Sequence, residues 1–353
     1  PDGVQFIPKR KQRNMEKHRQ CFLLTILGRE GLEEGRSLAF QGAAVYNGLA
    51  TFSSGGGMQM KLFWDDKPFY RGNTHCHTTR SDGRRSPEEV IALYREAGYD
   101  FLALTDHRKL SEQEHFEENL LMIPGMEMDF LYPTQALHIV GIGMNESFAQ
   151  QREKWCESPQ SCIDTMRACG GLAILAHPHW SLNTLDTMRS LKNVTAAEIY
   201  NTVSGTPWNG VRADSSNILD IASANGVFFH YVAADDAHFY NGDACRSYIM
   251  VQAEELSQKA ILEAIQAGRF YASQGPRIHQ ITVENDTVTV ECSPVSRAVF
   301  ESHLIWSDDR CKMGDGMTKI VYPRSDYGDG EKFVRVHLTD AQGNQAWSNI
   351  IYF

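Results

Sequence analysis

The strongest constraint on the fold is a series of seven short apolar runs between residues 69 and 234. Helical patterns, glycines and prolines separate several of these runs. One predicted helix begins after an N-cap serine, Ser86, followed by Pro87 and the capping-box glutamate Glu89, and it ends at Gly98. Strand-like runs that alternate with helices predict an α/β domain built from repeated βα units. The seven runs are FYRGNTH, YDFLALT, LLMIPGM, ALHIVGI, GLAILAH, AAEIYN and VFFHYVAA.

The pattern changes after Gly275. From there, apolar and polar residues alternate with a period of two, with turn signals between the runs. This alternation predicts a small antiparallel β domain over residues 275–353, of the sandwich kind, in which two sheets pack face to face. The α/β domain is predicted over residues 58–274. Residues 1–57 are basic and then glycine-rich, and they form a poorly defined N-terminal extension whose native status the sequence leaves open.

Composition restricts the class of partner. The 353 residues carry a formal net charge of −10, which argues against a nonspecific nucleic-acid binder because phosphate backbones recruit basic surfaces. No stretch approaches the ~20 apolar residues of a membrane span, so no membrane partner is expected. The eight cysteines are scattered without a CxxC pair, which indicates reduced thiols and a cytoplasmic protein. The oligomeric state is left open.

Residues that can bind metal stand at the ends of five of the seven runs. His75 and His77 are two apart on the first run, so both imidazoles project to one face, and Asp82 follows in a turn. An HxH pair alone is more often structural, but strand ends of a closed parallel βα barrel converge on one mouth. The sequence therefore predicts one shared site. The other strand-end residues are Asp106, His107, Glu127, His177, His179, Asp236 and His238.

These motifs resemble those of a known family. HCHTTRSDG, LTDH, PGME, AHP and DDAH occur in the order and at the spacings of the PHP (polymerase and histidinol phosphatase) superfamily, over roughly residues 69–272. The β region after Gly275, with the phrase GRFYASQGP before it, more loosely resembles the CehA/McbA-type metallohydrolases. The PHP resemblance implies a distorted (β/α)7 barrel, followed here by the small antiparallel β-sandwich-like domain.

The resemblance also implies three divalent metal ions held by nine side chains. Glu127 would bridge two of these ions, as a carboxylate can. His138 stands near the start of its run, so its assignment depends more on the resemblance than on strand-end geometry. Imidazoles and carboxylates without a thiolate suit zinc, manganese or iron, which the sequence does not rank. The three implied ligand groups are His75, His77, Glu127 and Asp236; Glu127, His138 and His177; and Asp82, His107 and His238.

Closely spaced divalent ions predict hydrolysis. They lower the pKa of bound water, so a hydroxide that bridges two ions would be the nucleophile. The leading hypothesis is a phosphoesterase that cleaves a small phosphorylated metabolite or nucleotide. One alternative is a carboxylester or carbamate hydrolase that uses the same metals. Another is a non-catalytic PHP module that binds a partner or assists a polymerase.

Five further residues have candidate roles beside the ligands. Arg80 and Arg108 could bind phosphate oxygens, or could be surface charges. His179 could contact substrate, act as the general acid for the leaving group, or cap the following helix. Asn201 could contact substrate or form a turn. Asp106 is interpreted as a catalytic-site carboxylate that orients an imidazole, rather than as a tenth ligand.

Three residues near the motifs are interpreted as structural. Cys76 lies between two ligand histidines, but on a strand its side chain would point to the opposite face, so a buried thiol is predicted. Trp180 and Trp208 follow the fifth and sixth runs. Both could shape a pocket, and packing is the favoured role.

Overall fold

The computed structural model describes residues 49–52, 58–327 and 330–353. The predicted extension, residues 1–57, therefore lies outside the described residues apart from one strand, Leu49–Phe52. The described residues mix strands and helices, which confirms the predicted α/β class. The closed seven-stranded barrel and the sandwich stay predictions.

All seven apolar runs of the sequence contain a strand. The strands that coincide with them are the third, fourth and sixth to tenth of the chain, and four of the seven are buried along their whole length or nearly so. In chain order the first ten strands are β1 (Leu49–Phe52), β2 (Met58–Lys61), β3 (Phe69–Asn73), β4 (Phe101–Leu104), β5 (His115–Glu117), β6 (Leu120–Leu131), β7 (Ala136–Ile142), β8 (Leu172–Leu175), β9 (Ala196–Asn201) and β10 (His230–Ala234).

The seven strands pair in the order β3, β4, β6, β7, β8, β9 and β10. Four of these six pairings are parallel, while β7 is antiparallel to both of its neighbours. Beyond the ends of β3 and β10, an isolated parallel bridge joins Cys76 to Ala237. Cys76 is buried, as predicted.

The expectation of uniformly parallel βα units is wrong at β7, and the chain length explains why. Only residues 132–135 separate β6 from β7. A parallel crossover needs about a dozen residues or more, so a connection this short can form only a hairpin. The Tyr132 backbone N–H donates to the Gln135 carbonyl at 2.9 Å and closes that turn.

The helix that the sequence predicts after Ser86 is present. It begins at the predicted N-cap, where Ser86 Oγ accepts from the Glu89 backbone N–H at 3.3 Å and Glu89 Oε2 accepts from the Ser86 N–H at 2.8 Å. Gly98 follows the helix with a positive φ of 75°, which a glycine adopts without steric cost. The α-helices are α1 (Pro87–Glu96), α2 (Arg152–Trp155), α3 (Pro159–Ala168), α4 (Leu185–Ser190), α5 (Ser216–Ala224) and α6 (Gln258–Gln266), and the 3-10 helices are Glu146–Gln151, Val203–Gly205 and Pro207–Asn209.

None of the helices within the described ranges is long and apolar enough to cross a membrane.

The remaining strands pair antiparallel, as the period-two pattern predicts. β11 pairs with β3, before residue 275. β13 pairs with β2 and β12 pairs with β17, so hydrogen bonds join strands on the two sides of residue 275. The proposed boundary between residues 274 and 275 stays a prediction. These strands are β11 (Tyr248–Gln252), β12 (Phe270–Ser273), β13 (Ile278–Glu284), β14 (Thr287–Glu301), β15 (Cys311–Pro323), β16 (Phe333–Thr339), β17 (Gln345–Trp347) and β18 (Ile351–Tyr352).

Candidate metal centre

The nine side chains implied as ligands lie together in three overlapping groups. Within each group, one ligand atom from every residue lies within 4.8 Å of the others. His77 belongs to two groups, which differs from the implied assignment, and Glu127 also belongs to two. The groups are His75, His77, Glu127 and Asp236; Glu127, His138 and His177; and His77, Asp82, His107 and His238.

The strand ends bring these residues together. The chain beyond β3 lies against the chain beyond β10, where the Asp236 N–H donates to the His75 carbonyl at 2.9 Å. An isolated parallel bridge likewise joins His107, after β4, to Glu127 within β6. Glu127 thus reaches the same edge from the middle of a long strand.

The antiparallel direction of β7 explains His138. Because β7 runs opposite to its neighbours, its first residues lie at the edge where the parallel strands end. His138 is opposite Asp129 in the β6–β7 register, and its Nδ1 lies 2.8 Å from Glu127 Oε1. A position near the start of this run is therefore equivalent to a position near the end of the others.

The backbone at this edge is strained at three residues that are not glycine. Arg108, His177 and Asp236 have φ values of 57°, 29° and 52°. Such positive angles are uncommon for residues with a Cβ, and they gather at functional sites because the surrounding structure must enforce them. Two of the three are implied ligands, and the third follows a ligand directly.

The group around His75 and His77 has the chemistry of a cation site. His75 Nδ1 donates to Glu198 Oε1 at 2.7 Å, so His75 Nε2 presents its lone pair, and His77 Nε2 lies 3.1 Å from it. Asp236 Oδ1 is 3.1 Å from both Nε2 atoms, yet this buried oxygen has no hydrogen-bond partner. Buried electron-pair donors that face one another need either protons or a cation between them. These residues fit a divalent metal ion.

A second buried atom without a partner supports the same conclusion. His107 Nδ1 makes no hydrogen bond, although Glu127 Oε2 lies 3.3 Å away. Two other ligand histidines have their Nδ1 atom held by a hydrogen-bond partner. His177 Nδ1 lies 2.8 Å from Ser181 Oγ, and His238 Nδ1 donates to the Asp236 carbonyl at 2.7 Å. Partners of this kind select the tautomer that leaves one nitrogen free for a metal.

The pKa shifts at the centre indicate ionised carboxylates that are stabilised by nearby positive charge. Burial alone would lower the pKa of His75, but the carboxylates of Asp236, Glu127 and Glu198 raise it well above its ordinary value. Burial would raise the pKa of Asp236, but His75 and His238 hold it well below its usual range. The same balance keeps the pKa of Glu127 low. These carboxyl groups are therefore ionised, and a bound cation would take the place of the imidazole protons.

Glu198 is the main residue at this site whose role the sequence did not reveal. It lies in β9, it is fully buried, and its Oε2 accepts from the His177 backbone N–H at 2.8 Å and from Asn201 Nδ2 at 2.7 Å. Together with the His75 contact, these bonds make Glu198 the carboxylate that orients an imidazole. The available signal was an ionisable residue inside the apolar run AAEIYN.

Asp106, to which the sequence assigned that orienting role, lies elsewhere in the network. Its carboxylate accepts from the Thr78 N–H and Oγ1 at 2.8 and 2.7 Å, and from the Ser81 N–H and Oγ at 3.1 and 2.7 Å. Asp106 therefore organises the loop that leads to Asp82. It reaches His77 indirectly, because Ser81 Oγ lies 3.4 Å from His77 Nδ1.

The two arginines beside the ligands differ in placement. Arg80 lies away from the centre, where its guanidinium pairs with Glu112 at 3.2 Å on the surface. Arg108 lines the cavity above the ligands, and Asp129 clamps its guanidinium through two contacts of 3.0 and 2.6 Å. Of the two, Arg108 is the one positioned to meet a substrate.

The other candidate contacts, His179 and Asn201, are not among the described residues that line the cavity. The exposed His179 donates from Nδ1 to the Asp214 carbonyl at 2.7 Å. Asn201 is fully buried, donates to Asp236 Oδ2 at 3.1 Å, and accepts from the Ser204 N–H at 3.1 Å. These bonds favour the turn-forming role for Asn201.

A cavity of about 610 Å³ opens onto the three ligand groups. Several ligands form its floor, and Leu131, Trp180 and Phe239 form part of its wall. Trp180 therefore shapes the pocket as well as packing, because its ring contacts those of His138 and His177. Trp208 packs edge-on against Phe239, as expected for a packing role.

Sequence comparison finds short matches. No family model matches the chain. It is similar to the 5'-3' exoribonuclease of Haemophilus influenzae, with 32% identity over 78 residues, which cover 21% of this chain and 28% of that protein. The 5'-3' exoribonuclease Rnm of Escherichia coli is 32% identical over 94 residues, which cover 23% of this chain and 32% of that protein. The chain thus matches about a third or less of the length of these relatives.

Comparison with solved structures gives longer matches at low identity. One is a two-domain protein from Bacteroides vulgatus described as containing a predicted PHP-like metal-dependent phosphoesterase, with a TM-score of 0.46, 14% identity, and coverage of 82% of this chain and 97% of that chain. Another is an amidohydrolase from Chromobacterium violaceum, with a TM-score of 0.33, 15% identity, and coverage of 49% and 89%. A protein described as PHP-like is thus among those to which this chain is similar.

Proposed function

We propose that this chain is a metal-dependent hydrolase of the PHP type that cleaves phosphoric esters of small molecules. The observation that carries the proposal is the convergence of nine His, Asp and Glu side chains into three overlapping groups at one edge of the sheet. Two of their buried atoms, His107 Nδ1 and Asp236 Oδ1, have no hydrogen-bond partner. A set of ligands this dense is suited to more than one ion, and we propose three.

The ligand chemistry suits zinc, manganese or iron. Divalent ions held by these groups would lower the pKa of a coordinated water and neutralise charge on phosphoryl oxygens. Glu127 and His77 would each serve at the junction of two groups, although an imidazole nitrogen binds one ion at a time. Glu198 would hold His75 with Nε2 directed into the centre.

The chain's own residues around the ligands suit an anionic substrate. The Arg108 guanidinium lies at the cavity wall, and its clamp by Asp129 holds it in place before substrate arrives. A guanidinium binds phosphate or carboxylate oxygens through paired hydrogen bonds. The partner that we propose is accordingly a small phosphorylated molecule, handled in the cytoplasm. An RNA or DNA polymer is disfavoured by the net charge of −10.

One observation favours a second candidate, a carboxylester or carbamate hydrolase. Leu131, Trp180 and Phe239 make part of the cavity wall apolar. An uncharged ester would suit such a wall, and the same metals could activate water for attack on its carbonyl carbon. Turnover of aryl carbamates or acetates in preference to phosphate esters would support a carboxylester or carbamate hydrolase over a phosphoesterase.

The test is a substrate panel with a matched variant. The zinc- or manganese-loaded protein is assayed against phosphomonoesters and phosphodiesters beside His75→Ala, and beside His279→Ala as a histidine control on the exposed surface of β13. We expect turnover that His75→Ala abolishes and His279→Ala retains. If wild-type turnover of every phosphate ester equals that of His75→Ala, phosphoesterase activity is ruled out. Metal analysis of the same samples would separate loss of ions from loss of chemistry.

A further inference from the structure

We propose that the chain has a second binding site, separate from the metal centre, for a sugar or other polyol that carries a tetrahedral oxyanion. The site is a cavity of about 420 Å³ between the loop after β9, the loop after β10 and the turn between β16 and β17. None of the described residues that line it also lines the cavity at the metal centre. Three features support the proposal: the charge of the wall, its polar groups, and the loops that it shares with the metal centre.

The charge of this wall is positive. Arg246 is the one charged side chain among the described residues that line the cavity, and it is exposed. Within the part of the chain that the structure describes, its guanidinium has no carboxylate partner. Arg108 and Arg80, in contrast, pair with Asp129 and Glu112. In a chain with a formal net charge of −10, a cavity that contains a free guanidinium and no acidic side chain favours an anion.

The carboxylates nearest to this wall are engaged by backbone groups. Asp235 is fully buried, and its Oδ1 accepts from the backbone N–H groups of Arg246 and Ser247 at 2.9 and 2.8 Å. Asp340, in the turn between β16 and β17, accepts from the Asn344 N–H at 2.8 Å. Neither carboxylate is among the described residues that line the cavity. An anion that binds Arg246 therefore meets no carboxylate in the wall.

The uncharged part of the wall suits hydroxyl groups. Thr202 Oγ1 donates to Ser247 Oγ at 2.7 Å, and Thr206 Oγ1 donates to the Val203 carbonyl at 2.6 Å. Each threonine oxygen keeps lone pairs that can accept a further hydrogen bond. The amide of Gln274, which also lines the cavity, can both donate and accept. Donors and acceptors of this kind match the hydroxyl groups of a sugar or polyol.

The size of the cavity indicates more than a free anion. Ligand pockets in proteins commonly measure about 300–1,000 Å³, and this cavity lies within that range. At about 420 Å³ it would hold roughly 14 water molecules at their share of liquid volume. A phosphate or sulfate group alone would fill a small part of this space. The volume and the polar wall together favour an oxyanion attached to a hydroxylated body.

The second cavity shares the loop after β9 with the metal centre. In this loop Val203 and Ser204 line the cavity at the metal centre, whereas Thr202 and Thr206 line the second cavity. The Val203 backbone N–H donates to the Asp235 carbonyl at 3.0 Å, which joins this loop to the loop after β10. A ligand that contacts the two threonines therefore acts on a segment that also borders the metal centre.

The loop after β10 is shared in the same way. His238 and Phe239 line the cavity at the metal centre, whereas Cys245 and Arg246 line the second cavity. Between them, the fully buried Asp243 accepts at Oδ2 from the His238 and Phe239 backbone N–H groups at 2.9 and 2.7 Å. Arg246 follows Asp243 by three residues. A ligand that restrains Arg246 therefore also restrains the segment that presents His238, so we expect it to strengthen metal binding.

The first test is calorimetry on the zinc-loaded protein with glucose 6-sulfate. This probe has a tetrahedral oxyanion on a sugar but is no phosphate ester, so the proposed hydrolysis does not consume it. We expect one probe per chain, with inorganic sulfate binding about 10-fold or more weakly because it lacks the hydroxyl contacts. Equal affinity for inorganic sulfate would mean that the site takes a free anion, and the sugar class would be wrong. Absence of binding to the wild-type protein would overturn the site itself.

Variants place the probe in one of the two cavities. Arg246→Gln removes the positive charge, and Gln274→Glu keeps the size of the side chain but adds a negative charge. We expect each to raise the Kd for glucose 6-sulfate about 10-fold or more, and two variants guard against one that fails to fold. Arg108→Gln, the matched change at the metal centre, should keep the wild-type Kd. The second site is wrong if Arg108→Gln weakens binding and Arg246→Gln does not.

The link between the two cavities is tested through zinc affinity. In a competition titration with a chromophoric chelator, saturating glucose 6-sulfate should raise the zinc affinity of wild type about 5-fold or more and leave that of Arg246→Gln unchanged. By reciprocity, the probe should bind the chelator-treated protein more weakly by the same factor. Binding of the probe without any change in zinc affinity would contradict the link. None of these measurements requires ester hydrolysis, so they succeed or fail independently of the proposed function.

Discussion

Two buried charged clusters in this chain differ in the kind of counter-charge that they contain. In one, Arg335 of β16 pairs with Asp220 of α5 through contacts of 2.9 and 2.7 Å. Burial would lower the pKa of Arg335, but Asp220 raises it, so the positive charge is retained. In the other, the carboxylates of Glu127 and Asp236 face imidazoles, which are neutral near pH 7 in their unperturbed form and balance the carboxylates only by taking up extra protons.

The difference separates a structural role from a binding role. The Arg335–Asp220 pair joins a strand of the C-terminal region to a helix of the α/β region, and its charges cancel. At the metal centre, the carboxylates of Glu127 and Asp236 are balanced by protons on imidazoles, and a bound cation can take the place of these protons. Since an uncompensated buried charge is costly, a cluster whose only counter-charge is exchangeable protons is the one that indicates a ligand.

The largest expected effect comes from a substitution at the metal centre. His77→Ala removes the histidine shared by two ligand groups, and we expect the rate of ester hydrolysis to fall by about 10⁴-fold, equivalent to ~5.5 kcal/mol. Steady-state kinetics and metal analysis measure this, and a chelator should give the same loss in wild type. Chelation should also lower the melting temperature, because an ion that binds only the folded state stabilises it. Activity that survives chelation would contradict a metal centre.

A substitution that breaks the Arg335–Asp220 pair should affect stability instead. Arg335→Ala leaves Asp220 without its partner, and we expect the free energy of unfolding to fall by about 3–5 kcal/mol, toward the lower figure because Asp220 is 31% exposed. Urea denaturation measures the change, and metal content per folded chain should stay at the wild-type value. Lys259→Ala, which breaks an exposed pair with Glu263, is the control, with an expected change below about 0.5 kcal/mol. Equal effects of the two variants would remove the distinction between buried and exposed pairs.

A smaller effect is expected at Glu198, which orients the ligand His75 but is not itself one of the nine implied ligands. Glu198→Gln keeps the size of the side chain but weakens its hold on His75 Nδ1, so metal affinity should fall about 10–100-fold. A competition titration with a chromophoric chelator measures this affinity. Glu254→Gln, on the exposed surface, serves as the matched control. Unchanged affinity in Glu198→Gln would show that His75 does not need this carboxylate for its orientation.

Much of the site could be predicted because its residues occupy strand ends. Strand ends that converge bring His75, Asp236 and His177 together whatever the loops do, and the motifs supplied the rest. His138 could not be placed by the same rule, because its strand runs in the opposite direction. The four-residue connection before it held that information, since a connection so short excludes a parallel crossover.

The contacts around the ligands were less accessible from sequence. Arg80 and Arg108 each stand close to a ligand in the chain, yet one pairs with Glu112 on the surface and the other lines the cavity. Loop geometry decides such directions, and it depends on tertiary contacts that no local pattern encodes. Glu198 was hidden for a different reason, because its role follows from packing between β9 and the chain after β3 rather than from its neighbours in sequence.

The smallest expected effect is on the pH dependence of stability, which differs in sign between histidines of the two clusters. Burial lowers the pKa of His337, next to Arg335, to about 4, whereas carboxylates raise the pKa of His238 at the centre to about 9. A histidine whose folded pKa is lowered stabilises the protein above the unfolded value near 6.5, and this stability is lost as the pH falls toward 4. Four histidines of the metal-free centre have the opposite sign, since their pKa values are raised and their stability is present below about 6.5 and is lost as the pH rises. These are His75, His77, His138 and His238.

His337→Phe keeps the stacking on Trp347 but removes the titrating ring nitrogens. We expect wild type to lose on the order of 1–2 kcal/mol more unfolding free energy than this variant between pH 7 and pH 5. Urea denaturation of both proteins in chelator, at each pH, measures the difference and excludes loss of metal as its cause. His230, with a pKa lowered to about 4, contributes the same sign in both proteins and cancels from the comparison. Parallel pH profiles for the two proteins would mean that His337 can accept a proton in the folded state, and the C-terminal cluster would then be open to solvent rather than closed.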